Sequence, residues 1–219
     1  GDLTIAYRTA EGVTVNHYYA AGRARVQDAT SDTIIDFDSK RVLTIDHSRR
    51  QYTELTFAEV EEASRAAAAY MQQSLDRIPQ ESRADTRRRL GGSTAEPVVK
   101  KGAARTIAGL SCQTFTVTMG DGMLQETCNT TDLVPPFDWT VFQKVSQVDV
   151  PTVEGMDRFA RAVSGIKGVV LFQRVVLSVL GQKIESRFEA TEVRKGPIDP
   201  ALFALPSGYR RTPPSKSRP

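Results

Sequence analysis

The 219-residue chain is 40% aliphatic and aromatic and 25% charged, with a formal net charge of +3. This balance belongs to a folded globular protein long enough to bury a core; it excludes a disordered chain and gives no electrostatic case for nucleic acid as a partner. No apolar run approaches the ~20 residues of a membrane-crossing helix, so the chain reads as not membrane-spanning.

The chain opens on strand-like Asp2-Leu3-Thr4-Ile5, which suits a mature form whose leader has been removed. Leu3, Ile5 and Tyr7 alternate with polar residues, Glu11-Gly12 turns, and Val13, Val15, His17 and Tyr19 alternate again before the turn at Ala21-Gly22. Residues 23–28 form a weaker strand. Residues 33–55, TIIDFDSKRVLTIDHSRRQYTEL, then contain an internal echo. Asp36 to Arg41 and Asp46 to Arg50 each end an apolar strand with an acid, a serine and basic residues, which is turn chemistry. Six strands fit before Thr56, giving a β-meander over residues 1–55.

The same stretch gathers Asp36, Asp38, Asp46 and His47, with Ser48 beside them. Neighbouring side chains on a strand point to opposite faces, so Asp46 and His47 do not share a ligand sphere, and the Asp38 turn puts two cations where calcium ligands would belong. Consecutive Asp46-His47-Ser48 does not converge as a hydrolytic triad. The two cysteines and two histidines lack zinc spacing, and no glycine-rich phosphate loop is present. No catalytic residue, metal site or cofactor is therefore expected.

Thr56-Phe57-Ala58-Glu59 has the spacing of a capping box, and Val60, Ala63, Ala67, Tyr70, Met71, Leu75 and Ile78 lie at helical spacing. The pattern predicts a helix over 57–78, interrupted at Pro79 and resuming through Leu90. Four consecutive alanines, 66–69, predict close packing of this helix into the sheet's concave face; a protruding arm is the alternative. Arg83, Arg87, Arg88, Arg89, Lys100, Lys101 and Arg105 form a basic cluster, read as a solvated face, around a loop at 91–96.

Strands resume near Val98 and Thr106. Cys112 and Cys128 flank a hairpin turning at Met119-Gly120-Asp121-Gly122. A three-residue loop centred on Gly120 pairs Thr118 with Gly122 and sets Cys112 opposite Cys128, close enough for a disulfide. Two separate buried thiols are the alternative. A bridge implies an oxidising compartment. Asn129-Thr130-Thr131 matches a glycosylation sequon.

Beyond the break at Pro135-Pro136, a short helix is predicted over 139–145, another begins at Thr152-Val153-Glu154, and a long hairpin covers 169–180 and 182–193. Residues 198–209 read as a docked turn, and 210–219 as a disordered tail.

The fold expectation is α+β: one domain over 1–209, a strongly curved antiparallel sheet forming an incomplete β-barrel, with a helical insertion at 56–90 and strands with short helices over 97–194. Such a sheet can hold an apolar ligand beneath its helix, and Tyr19, Phe37, Tyr70, Met71, Phe115, Phe172 and Phe188 are the candidate cavity residues; the alternative for each is an ordinary place in the core.

Ile34-Ile35-Asp36-Phe37-Asp38-Ser39-Lys40-Arg41-Val42, with Ile45-Asp46 and Tyr52-Thr53-Glu54-Leu55, resembles the D-x-x-x-K-x-x-x-x-x-D … Y-x-E run of LolA-like periplasmic domains, closest to an uncharacterised bacterial branch. Gly109-Leu110-Ser111-Cys112-Gln113-Thr114-Phe115, Thr191-Glu192-Val193 and Leu202-Phe203-Ala204-Leu205-Pro206-Ser207-Gly208-Tyr209 are similar to that branch too. The resemblance implies an open half-barrel with helices in its mouth, an envelope location, and, as in characterised relatives, a cavity for lipoprotein acyl chains. The functional expectation is a non-enzymatic periplasmic or secreted protein binding an apolar small molecule or a lipidated protein. The alternative is a scaffold with a filled barrel that docks a partner through a sheet edge or the basic 83–105 region.

Overall fold

The computed structural model describes residues 1–146 and 155–214. Six strands precede the first helix: β1 (Leu3–Thr9), β2 (Thr14–Ala20), β3 (Arg23–Gln27), β4 (Ser31–Asp36), β5 (Arg41–Asp46) and β6 (Gln51–Thr56). The two echoed turns have the same construction. Asp36 accepts from the Ser39 amide at 2.8 Å, Asp46 from the Arg49 amide at 3.0 Å, and each turn closes on a left-handed residue, Lys40 at φ 54° and Arg50 at φ 51°. Asp36 is thereby opposite Arg41 and Asp46 opposite Gln51, so the two turns set the register of β4, β5 and β6.

Helices α1 (Phe57–Asp76) and α2 (Gln80–Arg89) follow, separated at Pro79. The capping box forms: Glu59 accepts from the Thr56 amide at 2.7 Å and Thr56 Oγ1 accepts from the Glu59 amide at 3.2 Å. α1 buries Val60 and Leu75 near its two ends, but of its alanine run only Ala67 is even half-buried. The close sheet contact expected of residues 66–69 is not made. Alanine methyls bury too little apolar area to hold a helix down, and the turns before them carry Glu61, Glu62 and Arg65.

The remaining elements are β7 (Val98–Ile107), β8 (Leu110–Met119), β9 (Met123–Thr130), α3 (Trp139–Val145), α4 (Met156–Ser164), β10 (Val169–Val179), β11 (Gln182–Lys195), a 3₁₀ turn at Pro200–Phe203, and β12 (Arg210–Arg211). The two strand starts expected near Val98 and Thr106 belong to one strand, β7, irregular between Lys101 and Ala104. Thr152-Val153-Glu154 lie outside the described residues. Arg210 and Arg211, placed in a disordered tail by their composition, instead pair in parallel with Gln51 and Tyr52 of β6. The Thr212 amide extends this by donating to Tyr52 O at 2.8 Å.

The fold is α+β. Among the described residues twelve strands form one sheet in the order β12, β6, β5, β4, β3, β2, β1, β11, β10, β9, β8, β7, which does not close on itself. The sheet is mostly antiparallel, with β12 running parallel to β6. By contact density the chain divides into two compact units: Gly1–Glu62 with Val134–Val148 and Ala190–Pro219, and Ala63–Leu133 with Asp149–Glu189. The first buries Leu3, Ile5, Tyr19, Ile35 and Ile45; the second is centred on Val117, Met119, Met123, Phe159 and Ile166.

Candidate functional site

Within the second unit, α4 packs on one face of the β8–β9 hairpin. Residues facing each other across strands share a sheet face. The register pairs Gln113 with Asn129, Phe115 with Thr127, Val117 with Gln125 and Met119 with Met123, and on β7 it sets Val99 beside Val117 and Lys101 beside Phe115. Phe159 and Ile166 cover the end of this face nearest the hairpin turn. Gly155, at φ 87°, starts α4 where a Cβ would stand 2.5 Å from the Ser93 carbonyl and 2.8 Å from Met119, so only glycine lets the helix begin there.

Farther along the hairpin, α4 presents small Ala162 and then ends at Gly165. The space left over is a groove of about 680 Å³, lined by Val99, Ala104, Gln113, Phe115, Ala162 and Ile166 among others, with Asn129 and Asp132 also on its wall and exposed Lys167 at its mouth. Asn129 is 4% exposed; its amide donates to Gly168 O at 3.3 Å, while its Oδ1 has no hydrogen-bond partner among the described residues. This burial also closes the sequon: a side chain so enclosed does not present an acceptor nitrogen for glycosylation.

The Cys112–Cys128 disulfide forms on the opposite face of the same hairpin, with Cα atoms 5.4 Å apart. Its geometry differs from the expected facing pair. The loop is Gly120-Asp121-Gly122, closed by Met119 opposite Met123, and Cys128 faces Thr114. The cysteines are diagonal neighbours, brought together by sheet twist.

The seven candidate cavity residues are dispersed. Phe115 lines the groove. Phe188 is half-buried and, through Gln173 and Thr127, shares the sheet face of Phe115. Phe172 lies on the other face, buried, with the Arg105 and Arg187 guanidinium carbons 4.8 and 5.3 Å from its ring centre. Glu189 stands 3.4 Å from Arg105 and 3.6 Å from Arg187. On α1, Tyr70 is 51% exposed and Met71 half-buried. Tyr19 and Phe37 belong to the first unit, where a mostly apolar layer from the α3 segment covers them. Tyr19 meets Phe137, Trp139 and Phe142 edge-on at 5.4–5.7 Å, and Phe37 stacks on Phe137 at 4.5 Å. Asp138 caps α3 by accepting from the Thr140 amide at 2.8 Å, which holds this layer in place.

Beneath that layer, His17 Nδ1 is 2.7 Å from the Tyr19 hydroxyl and its ring 4.6 Å from that of Tyr7. Although the residue keeps some exposed surface, loss of water around the ring lowers its pKa to about 3 and raises those of Tyr7 and Tyr19, so all three are neutral at pH 7. His47, the other imidazole, sits with Nε2 2.9 Å from Asp32 and Nδ1 2.8 Å from the Tyr209 hydroxyl. Among the described residues no three His, Cys, Asp or Glu side chains gather around one metal position.

The basic cluster is largely consumed by structure. Arg83 donates to the Asp76 and Ile78 carbonyls at the end of α1, and Arg88 and Arg89 pair with Asp85. The groove was hard to find from sequence because Ala162, Gly165 and Asn129 matter for size and burial, properties visible only once α4 is seated. The one available signal was the small-residue break at Ser164-Gly165 between two apolar segments.

No family model matches the chain, and no curated protein matches it significantly. Among solved structures, it is similar to an uncharacterized conserved protein from Thermus thermophilus, at 8% identity and TM-score 0.48 over 97% of this chain and 90% of that one. It is also similar to a chain in the Pseudomonas aeruginosa MucA/MucB complex, at 12% identity and TM-score 0.48, and in the complex of MucB with MucA(peri), at 11% and 0.40. It covers 55% and 54% of those two chains, about half their length. Likenesses of this strength assign no family, ligand or partner.

Proposed function

We propose that this chain is a non-enzymatic protein of the bacterial envelope whose β7–β8–α4 groove binds an apolar ligand, either a free acyl chain or the acyl group of a lipidated partner. The observation that carries the reading is the groove's composition. Val99, Ala104, Phe115, Ala162 and Ile166 supply apolar walls, and Asn129 on the same wall carries a buried acceptor, Oδ1, with no partner among the described residues. An unpaired buried acceptor costs about 1–3 kcal/mol, and a ligand bearing an O–H or N–H beside an alkyl chain recovers that cost while burying apolar area. The disulfide and the resemblance of the turn motifs to LolA-like domains support the envelope location. A non-enzymatic role is supported by the use of both imidazoles in packing and hydrogen bonding.

The test combines native mass spectrometry and lipid extraction of freshly purified protein with titration of a fluorescent fatty acid. The expected result is a bound amphiphile, or saturable probe binding that Ala162→Trp weakens about tenfold or more by filling the groove, with the circular dichroism unchanged. Protein that carries no lipid and takes no probe, or an Ala162→Trp variant that binds as well as the parent, overturns the reading.

A further inference from the structure

The groove's outer rim is β7, the strand at one end of the sheet order, whose only strand neighbour among the described residues is β8. Nine of its ten residues are exposed or half-buried, and it displays two adjacent large apolar side chains to solvent, Val98 at 48% and Val99 at 46% exposure. Lys100 and Lys101 come next, both exposed and neither in an ion pair among the described residues. The strand is then interrupted. The Gly102 carbonyl is taken by Gln113 Nε2 at 2.6 Å and the Ala103 carbonyl by the Thr114 hydroxyl, and a Cβ on Gly102 would meet that hydroxyl at 2.5 Å. This irregularity withdraws the acceptors of 102 and 103 and leaves 98–101 as the receptive length of edge.

Lysines and bulges commonly guard edge strands against unwanted pairing. Guarding does not explain the exposed valine pair, because an edge kept free of partners does not display two adjacent β-branched residues, the type best suited to cross-strand packing. Valine and lysine together describe a selective edge rather than a blocked one.

We propose that β7 receives, along residues 98–101, an extended segment of a partner protein that presents two adjacent apolar residues to Val98 and Val99 and two adjacent acidic residues to Lys100 and Lys101. Because successive residues alternate between faces, one member of each partner pair continues the floor of the groove beside Val99 and Lys101, and the other continues the opposite face beside Val98 and Lys100. Main-chain hydrogen bonds provide attachment, and the lysine pair provides selection for an acidic strand.

A suitable probe is a fluorescein-labelled twelve-residue peptide of threonines around two valines and two glutamates, with a control in which lysines replace the glutamates. We expect the acidic peptide to bind at least about tenfold more tightly than the control, to weaken with salt, and to slow amide hydrogen exchange at 98–101. Lys100→Glu combined with Lys101→Glu reverses the preference, and its gain of lysine-peptide binding itself demonstrates a folded edge. Lys100, beside Thr116 on the face away from the groove, supplies the separating variant: Lys100→Glu alone weakens the acidic peptide while fatty-acid probe binding stays as in the parent, so the two readings fail separately. Equal binding of both peptides, no added protection at 98–101 with saturating acidic peptide, or protection that rises with protein concentration without peptide, indicating a second copy on the edge, overturns the proposal.

Discussion

The carboxylate of Asp32 is completely buried and is shared by the guanidinium of Arg25 and Nε2 of His47, the latter at 2.9 Å. From this point the contacts lead outward to the C-terminal segment: Arg25 also donates to the Leu202 carbonyl, and His47 Nδ1 meets the Tyr209 hydroxyl at 2.8 Å. The docked turn at 198–209 is thus held by one buried charge of the meander. Asp32→Asn leaves Arg25, 7% exposed, without its counter-charge and should cost about 3–5 kcal/mol, whereas Tyr209→Phe, which removes one hydrogen bond, should cost about 1 kcal/mol. Urea denaturation of both variants, read as midpoint and slope, checks the ranking.

His17 makes stability depend on pH in a defined direction. Its pKa falls from 6.5 in the unfolded chain to about 3 in the fold because the ring is desolvated. Between these values the unfolded state binds the proton and the folded state does not, so the contribution is complete above pH 6.5 and is lost as pH falls toward 3. The slope approaches about 1.4 kcal/mol per pH unit at most. Stability of the parent should therefore decline more steeply over this window than that of His17→Gln, and parallel curves from the two proteins would remove His17 from the account.

Breaking the disulfide should destabilise without rearranging the fold. Cys112 and Cys128 are 16 residues apart, and cross-linking a loop of that size is worth about 3 kcal/mol in the chain-entropy account. Cys112→Ala with Cys128→Ala, or reduction by dithiothreitol, should lower the thermal midpoint while the far-ultraviolet spectrum at 20 °C, well below that midpoint, is retained.

Asn129 separates its roles in folding and in ligand recognition. Since Oδ1 already lacks a partner among the described residues and the amide makes one long bond at 3.3 Å, Asn129→Leu should change stability by no more than about 1 kcal/mol. The same change should weaken binding of a long-chain alcohol to the groove and spare an alkane of equal length. Competition of each against the fatty-acid probe measures the difference.

Much of the meander was legible because its information is local. Alternation of Leu3, Ile5 and Tyr7, the acids at 36 and 46 and the capping box at Thr56 each act within about four residues, and each appears where the chain predicts it. Features that depend on distant packing were read less well. The hairpin loop was displaced by one residue, since Met119 pairs with Met123 when both are buried against α4, and that moved the cysteines from facing to diagonal. Helical periodicity in α1 gave the element but not its burial, because a stripe of Val60, Ala67, Met71 and Leu75 is too thin to predict how much is covered. Aromatics chosen by strand position alone could not be sorted between the α3-covered face, the groove and the Arg-flanked face, a distinction set by register.

A diagonal sulfur bridge acts as a checkpoint on assembly. Sliding β9 by a single residue along β8 would turn Cys112 and Cys128 to opposite sides of the ribbon and leave their sulfurs unable to meet. Oxidation thus favours the hairpin whose threonines, glutamines and single phenylalanine face the sides they need, the same register on which α4 packs.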